Sequence, residues 1–257
     1  MSLSRWRLST GTPPSFIGLQ NYANILQDTK FLLALKNSLL FMVLSVSSQF
    51  VCGFTIALLL NRTLPARRVL MMGILLPYML TPTMVGLVWK MLLHGNWGVV
   101  NHYIRALNLT AIDWLGNPDT TILTLTIIAT WLHTPWVTLM LFAGLQAIPN
   151  ELMEAAKVDG ANHRQTFFHV TIPVLRPLIA IVLLFRIVFS FREFDVIYSL
   201  YNSGGPGNSA MVLGVYLYQT FSGSWDIGRS SAVSFIMLVV TIILSLPMIL
   251  RRKGENS

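Results

Sequence analysis

The sequence predicts an all-α integral membrane protein, and three observations carry that prediction. Of 257 residues, 54% are hydrophobic and only 11% charged, whereas an ordinary soluble domain carries about 25% charged residues. Stretches free of Asp, Glu, Lys and Arg recur at lengths of 20 residues and more, and a spanning helix needs about 20 apolar residues. The 18 Lys and Arg cluster at the ends of those stretches, as anchoring charges do. The net charge of +8 therefore does not form the basic stripe that tracks phosphates, and no nucleic-acid partner is expected.

Five spans follow in order, at about 37–61, 69–91, 120–147, 175–200 and 230–250. The first is a charge-free run of 25 residues from Asn37 to Asn61, the second one of 21 from Val69 to Trp89. The third sits in a run of 31 from Thr120 to Asn150, and the fifth in one of 21 from Ser230 to Leu250. The fourth, from Pro177 on, is interrupted by Arg186, Arg192, Glu193 and Asp195. Pro77, Pro82 and Pro135 fall within spans, where proline kinks a helix and is tolerated if neighbours satisfy the freed carbonyls. The segments "HGNWGVVNHYIRALNLTAIDWLGNPD" and "NSGGPGNS" read as turn-forming external loops; the second either meets a substrate-binding protein or only turns the chain. Cys52, in an apolar run, reads as a small buried hydrophobe.

Orientation comes from the connections. Arg62, Arg67, Arg68, Lys157, Arg164, Arg176, Arg251, Arg252 and Lys253 put nine basic residues on one side of a five-span chain, against seven on the other spread over longer segments. The dense side is cytoplasmic by the positive-inside rule. This makes residues 1–36 an extracytoplasmic or interfacial segment, 37–250 the membrane domain, 150–173 a cytoplasmic loop and 251–257 a cytoplasmic tail. An external N-terminus with no apolar run before Lys36 is odd in parity, and the expectation is that a first span is missing.

The loop "ELMEAAKVDGANHRQTFFHVTIPVLRP" reads as two short helices. Asn150 is placed as the N-cap of the first, Glu151 and Glu154 suit the positive end of its dipole, and Leu152, Ala155 and Ala156 form an apolar stripe. Asp159-Gly160 ends it with a left-handed glycine. Asn162 and Gln165 make a capping box for the second, which is expected to end before Pro173 because the preceding residue is pushed from helical geometry. Such a knob either docks a partner or packs on its own bundle.

The stretch Glu154, Ala155, Ala156, three residues, Gly160, nine residues, then Val170, Thr171, Ile172, Pro173 resembles the EAA signature of binding-protein-dependent ABC importer permeases. Val170 and Ile172 are conservative departures from its usual ending of Ile, any residue, Leu, Pro. The segments "FIGLQNY", "LLNR", "LLPYMLTPTMVGLVWK", "WLGNP", "LQAIPNEL" and "FREFDVIYSLYNSGGPGN" occur in the order found in carbohydrate-type permeases related to the maltose importer's membrane subunits. That family normally has a span directly before the "FIGLQNY"-like region, which matches the parity deficit; a mis-set start and a truncated inactive paralogue both remain open. The resemblance implies the type I ABC importer transmembrane fold and a place in the bacterial cytoplasmic (inner) membrane. It further implies a second permease subunit, an extracytoplasmic solute-binding protein and a cytoplasmic ABC ATPase dimer that binds the ATP and Mg. Glu151, Glu154, Ala155, Ala156, Gly160 and Pro173 would couple the chain to that ATPase, driving alternating access for a sugar or polyol. Permeases for glycerol phosphate or an amino acid are the alternatives.

Residue chemistry agrees with a transport role. None of the five lysines follows a glycine-rich phosphate loop, no two of the five histidines are spaced i, i+4 for a helical metal site, and no Gly-x-Ser-x-Gly motif occurs. An intramembrane enzyme would need such a constellation. Charge within a span costs about 2.5–3.5 kcal/mol per residue at mid-helix and is functional by default. Arg186, Ser190 and Glu193 fall on one helical face, with Asp195 able to pair with Arg192. They either line a polar substrate path or lock the fourth span to a neighbour. His133 and Trp136 are weaker candidates for stacking a sugar ring.

Overall fold

A computed structural model describes residues 1–11, 13–62 and 65–254, and only the backbone of residue 10 and of 247–254. Residues 255–257, part of the expected tail, and the side chains of Arg251, Arg252 and Lys253 lie outside what is described. A two-residue ribbon comes first: β1 (Ser4–Arg5) pairs antiparallel with β2 (Ser15–Phe16), Ser4 opposite Phe16. The rest is helical, with α1 (Gln20–Leu26), α2 (Thr29–Leu60), α3 (Arg67–Leu75), α4 (Pro82–Leu92), α5 (Val99–Ala106) and α6 (Pro118–Gln146). Then follow α7 (Asn150–Val158), α8 (His163–Thr166), α9 (Ile172–Phe191), α10 (Asp195–Tyr201), α11 (Leu213–Ser224) and α12 (Ile227–Gly254).

Among the described residues, four helical stretches are long and apolar enough to cross a membrane: Thr29–Leu60, Pro118–Gln146, His163–Tyr201 and Ile227–Leu246. The expected second span at 69–91 is not one of them. It is broken into α3, a 3-10 turn at Pro77–Met79 and α4. Pro77 and Pro82 cannot donate a helical hydrogen bond, and Thr81, directly before Pro82, is extended at φ −69°, ψ 139°. Pro135, by contrast, lies inside the uninterrupted α6. The first span begins eight residues earlier than its charge-free run, because Lys30 and Lys36 are carried within α2. Cys52 is exposed, not buried; the outer face of a spanning helix meets lipid or another subunit, so an apolar run does not imply burial within its own chain.

The chain divides into two compact units. The first comprises 1–45, 80–128 and 187–245. Within it, α4 packs closely on α10 at Gly86, where an added Cβ would fall 2.9 Å from the Val196 carbonyl and overlap the Ser199 hydroxyl. Asn37 of α2 is buried and donates through Nδ2 to the carbonyls of Asn208, Ser209 and Met211 at 3.2, 3.2 and 3.1 Å. The "NSGGPGNS" segment is thereby packed against a helix end. The long loop between α4 and α6 contains α5, whose Asn101 is fully buried and bonds Gly95, Ile112 and Trp114, so it is more ordered than its turn residues suggest.

At one end of this unit Tyr216 donates to Asp28 at 2.8 Å, and Arg229 donates to both. Burial alone would raise the Asp28 carboxyl, but hydrogen bonds from Tyr216 and the Lys30 backbone, with the Arg229 charge, hold it below the usual carboxylate range. Burial and the bond to Asp28 push the Tyr216 hydroxyl up.

Among the described residues, the second unit comprises 46–79, 129–186 and 246–254. Its core is built from Ala57 and Leu60 of α2, Val137, Leu141, Phe142 and Leu145 of α6, and Leu175 and Val182 of α9. Arg67 lies over the Phe142 ring at 4.3 Å, a cation–π contact that ties the basic cluster to this core.

Candidate functional site

Two features of the second unit bear on function: the loop between α6 and α9, and a buried arginine in α9.

The loop folds as a capped hairpin. The cap of α7 is Pro149, with no side-chain hydrogen bond, and Asn150 is the first helical residue. The expected Asn150 cap is thus one position off, because Pro149 already has the extended geometry that an N-cap needs. Glu151 lies in the first turn. At the other end Gly160 takes φ +75°, its N–H bonding the Lys157 carbonyl at 3.1 Å while the Ala161 N–H reaches back to Ala156 at 2.9 Å. Those paired bonds are the Schellman arrangement, and a left-handed residue is needed for it. The capping box follows: Gln165 N–H donates to Asn162 Oδ1 at 2.9 Å and Asn162 N–H to Gln165 Oε1 at 2.8 Å.

The hairpin does not stop before Pro173. A π-helical turn at Phe167–Thr171 joins α8 to α9, and Ile172 is helical at φ −64°, ψ −47°. The wide turn spreads the carbonyls that a proline ring would otherwise crowd, so the helix passes through. Pro173 is exposed.

The expected apolar stripe is split between two faces. Ala156 is buried within the chain and Met153 is half-buried, whereas Glu151, Leu152, Glu154 and Ala155 are exposed. Val158, a residue the sequence reading passed over, is 88% exposed at the end of the same outward face. The signal was present in its spacing, since Glu151, Glu154, Ala155 and Val158 fall at i, i+3, i+4 and i+7. Behind the hairpin lies a cavity of about 580 Å³ lined by Asn61, Gln146, Met153, His163 and Phe167 among others. Gln146 donates to Asn61 within this lining, and Phe167 packs on Phe54 with ring centroids 5.9 Å apart.

Arg186 is 4% exposed and donates through Nε to Gln49 Oε1 at 2.8 Å. Gln49 is itself fully buried and donates to the Ala129 carbonyl at 3.2 Å. Gln49 is a partner that charge counting missed: it sits in a charge-free span, and its signal was the polar spacing Ser45, Gln49 at i, i+4. Trp136 lies edge-on to Phe185 at 6.3 Å and His133 edge-on to Tyr78 at 6.5 Å, so both rings have aromatic neighbours from this chain.

In the first unit, Ser190 is buried with its hydroxyl 2.9 Å from that of Ser45. Glu193 is half-buried and Asp195 exposed in the first turn of α10. Among the described residues no ion pair joins Asp195 to Arg192, since Asp195 instead starts a new helix after the chain breaks at Arg192–Phe194. Its carboxylate suits that helix N-terminus.

The long apolar helices define a multi-pass membrane protein. Residues 49–251 match the family described as the binding-protein-dependent transport system inner membrane component, and the chain belongs to that family. It is 37% identical to a probable ABC transporter permease protein of Sinorhizobium fredii, over 97% of this chain and 81% of that one. It is 32% identical to the sulfoquinovosyl glycerol transport system permease protein of Agrobacterium fabrum, over 93% and 77%. Identity is also 32% to the trehalose/maltose transport system permease protein of Thermococcus litoralis, over 93% and 80%. Among solved structures, a chain of a bacterial ABC transporter involved in import of the acidic polysaccharide alginate superposes with a TM-score of 0.85 at 23% identity, covering 94% of this chain and 85% of that one. That likeness shows the fold, the type I ABC importer transmembrane domain, and the family makes the chain an inner-membrane component.

Proposed function

We propose that this chain is the membrane subunit through which an ATP-driven importer moves a sugar or related polyol by alternating access, with a separate ATPase gripping the 150–173 hairpin. The observation that carries the reading is the outward face of α7. A membrane subunit with no docking partner would gain nothing from holding Leu152, Ala155 and Val158 toward water beside Glu151 and Glu154. The Schellman turn that ends α7 and the capping box that starts α8 hold that face, so that a push on it is transmitted to α6 and α9 and is not absorbed in a floppy loop. The carbohydrate names among its relatives support the substrate class. The remaining partners in this reading are a second permease subunit, an ATPase dimer carrying ATP and Mg, and an external solute-binding protein.

Arg186, held by Gln49, is proposed as a fixed positive donor on the substrate path; Ser190, Glu193 and Asp195, with His133 and Trp136, are further candidates on it. The test is uptake of a panel of labelled mono- and disaccharides by vesicles containing this chain with its partner permease, ATPase and binding protein. ATP-dependent accumulation of at least one sugar is expected. Equal uptake without ATP, or ATP-driven uptake of amino acids with no sugar accepted, would reject the proposal.

A further inference from the structure

A second feature lies in the first unit, and neither Arg186 nor any hairpin residue lines it. A cavity of about 540 Å³ is bounded by Phe194, by Tyr218 and Phe221 of α11, and by Ser230, Ser231 and Ser234 of α12, with Arg192 also lining it. Its size is ordinary for a small-molecule site.

Three features define its chemistry. The wall is aromatic and prearranged: Phe194 lies 5.2 Å from Tyr218 and stacks at 5.1 Å on Tyr198, which meets Tyr218 edge-on at 4.8 Å. Gly214 allows this closeness, since a Cβ there would stand 3.2 Å from both Phe194 Cβ and the Glu193 carbonyl. The floor carries a stranded hydroxyl. Ser230 is 7% exposed and its Oγ has no hydrogen-bond partner, whereas Ser234 and Thr241 in the same helix return theirs to their own backbone at 3.0 and 2.7 Å. A buried hydroxyl without a partner is costly, and a ligand that bonds it recovers that cost. The third feature is Arg192, an exposed guanidinium that no carboxylate pairs among the described residues.

We infer that this groove binds an acidic sugar, a pyranoside carrying a carboxylate or sulfonate. The polarised C–H face of the ring lies on Phe194 and Tyr218, a hydroxyl meets Ser230, and the anion takes the Arg192 fork. An acyl chain would fill the aromatic wall but leave Ser230 unsatisfied, and a hydrated inorganic anion would leave the rings idle. The ligand class rests on the sugar-permease reading; the site itself does not.

The test is saturation-transfer NMR of glucuronate and of glucose on the full chain in phosphatidylcholine nanodiscs, with vesicle uptake measured alongside. Glucuronate is expected to bind more tightly than glucose. Arg192→Gln, at an exposed position, should weaken glucuronate about tenfold and leave glucose unchanged, while Ser230→Val should weaken both by about three- to tenfold. Binding of neither probe, or equal binding of both with Arg192→Gln silent, overturns the inference. So does displacement of glucuronate by phosphatidylglycerol in the disc, which would give the groove to lipid. Normal ATP-driven uptake without groove binding sinks this site and spares the permease reading; groove binding without uptake does the reverse.

Discussion

At the scale of single residues, the decisive one is Arg186. A guanidinium that is 4% exposed in a spanning helix is expensive, and the structure shows what offsets part of the expense: a 2.8 Å bond to Gln49, itself fixed to the Ala129 carbonyl. Two readings of Arg186, a lock and a substrate donor, predict different things. Arg186→Leu leaves Gln49 Oε1 buried without that donor and should cost about 1–3 kcal/mol, whereas Arg186→Leu with Gln49→Leu removes the stranded acceptor and restores much of the thermal stability. If Arg186 serves the path, the double variant regains stability in detergent but still fails to take up sugar, while co-purifying normally with the ATPase. Wild-type uptake by the double variant would leave Arg186 as a lock only. The charge itself was plain in the sequence. Its partner was not, because a lone Gln in a 25-residue charge-free run carries no signal of which distant helix it will meet.

At the scale of elements, what was legible were the local rules. The Asn162–Gln165 capping box and the Gly160 turn depend on residues within six positions of each other, and both stand as read. The misreadings came where one local rule met another. Pro173 was expected to end a helix, and the π turn before it lets the helix run on. Pro77 and Pro82 were expected to kink a span, and together they break it into α3 and α4. The Leu152, Ala155, Ala156 stripe was read as one face, yet tertiary packing takes Ala156 inward and leaves the other two outside. Packing of α4 on α10 could not be read at all, since Gly86 looks like any other glycine in an apolar run. It makes a sharp stability test: Gly86→Leu forces a side chain into Ser199 and the Val196 carbonyl, and should cost about 1–3 kcal/mol or more of overpacking. Gly73, whose added Cβ would meet nothing within 4 Å, is the control in the same melting experiment and should stay near wild type.

At the scale of the whole molecule, composition and charge placement sufficed for an all-α multi-pass membrane protein, and family membership extends this to an inner-membrane component of a binding-protein-dependent transport system. The proposed coupling rests on the 150–173 hairpin. Gly160 is the hinge point to test. A Cβ at this position would meet nothing within 4 Å, so bulk alone disturbs no neighbour. Its φ of +75° is another matter, because a β-branched residue in left-handed geometry costs about 1–2 kcal/mol and loosens the turn that holds α7 rigid. The most direct measurement is therefore ATP hydrolysis and sugar uptake, in the same vesicles, for the wild-type importer and for Gly160→Val. The variant is predicted to insert at wild-type levels and to support hydrolysis, with uptake per ATP reduced about tenfold or more. Uptake per ATP equal to wild type would contradict the claim that this hairpin couples the motor to the membrane helices.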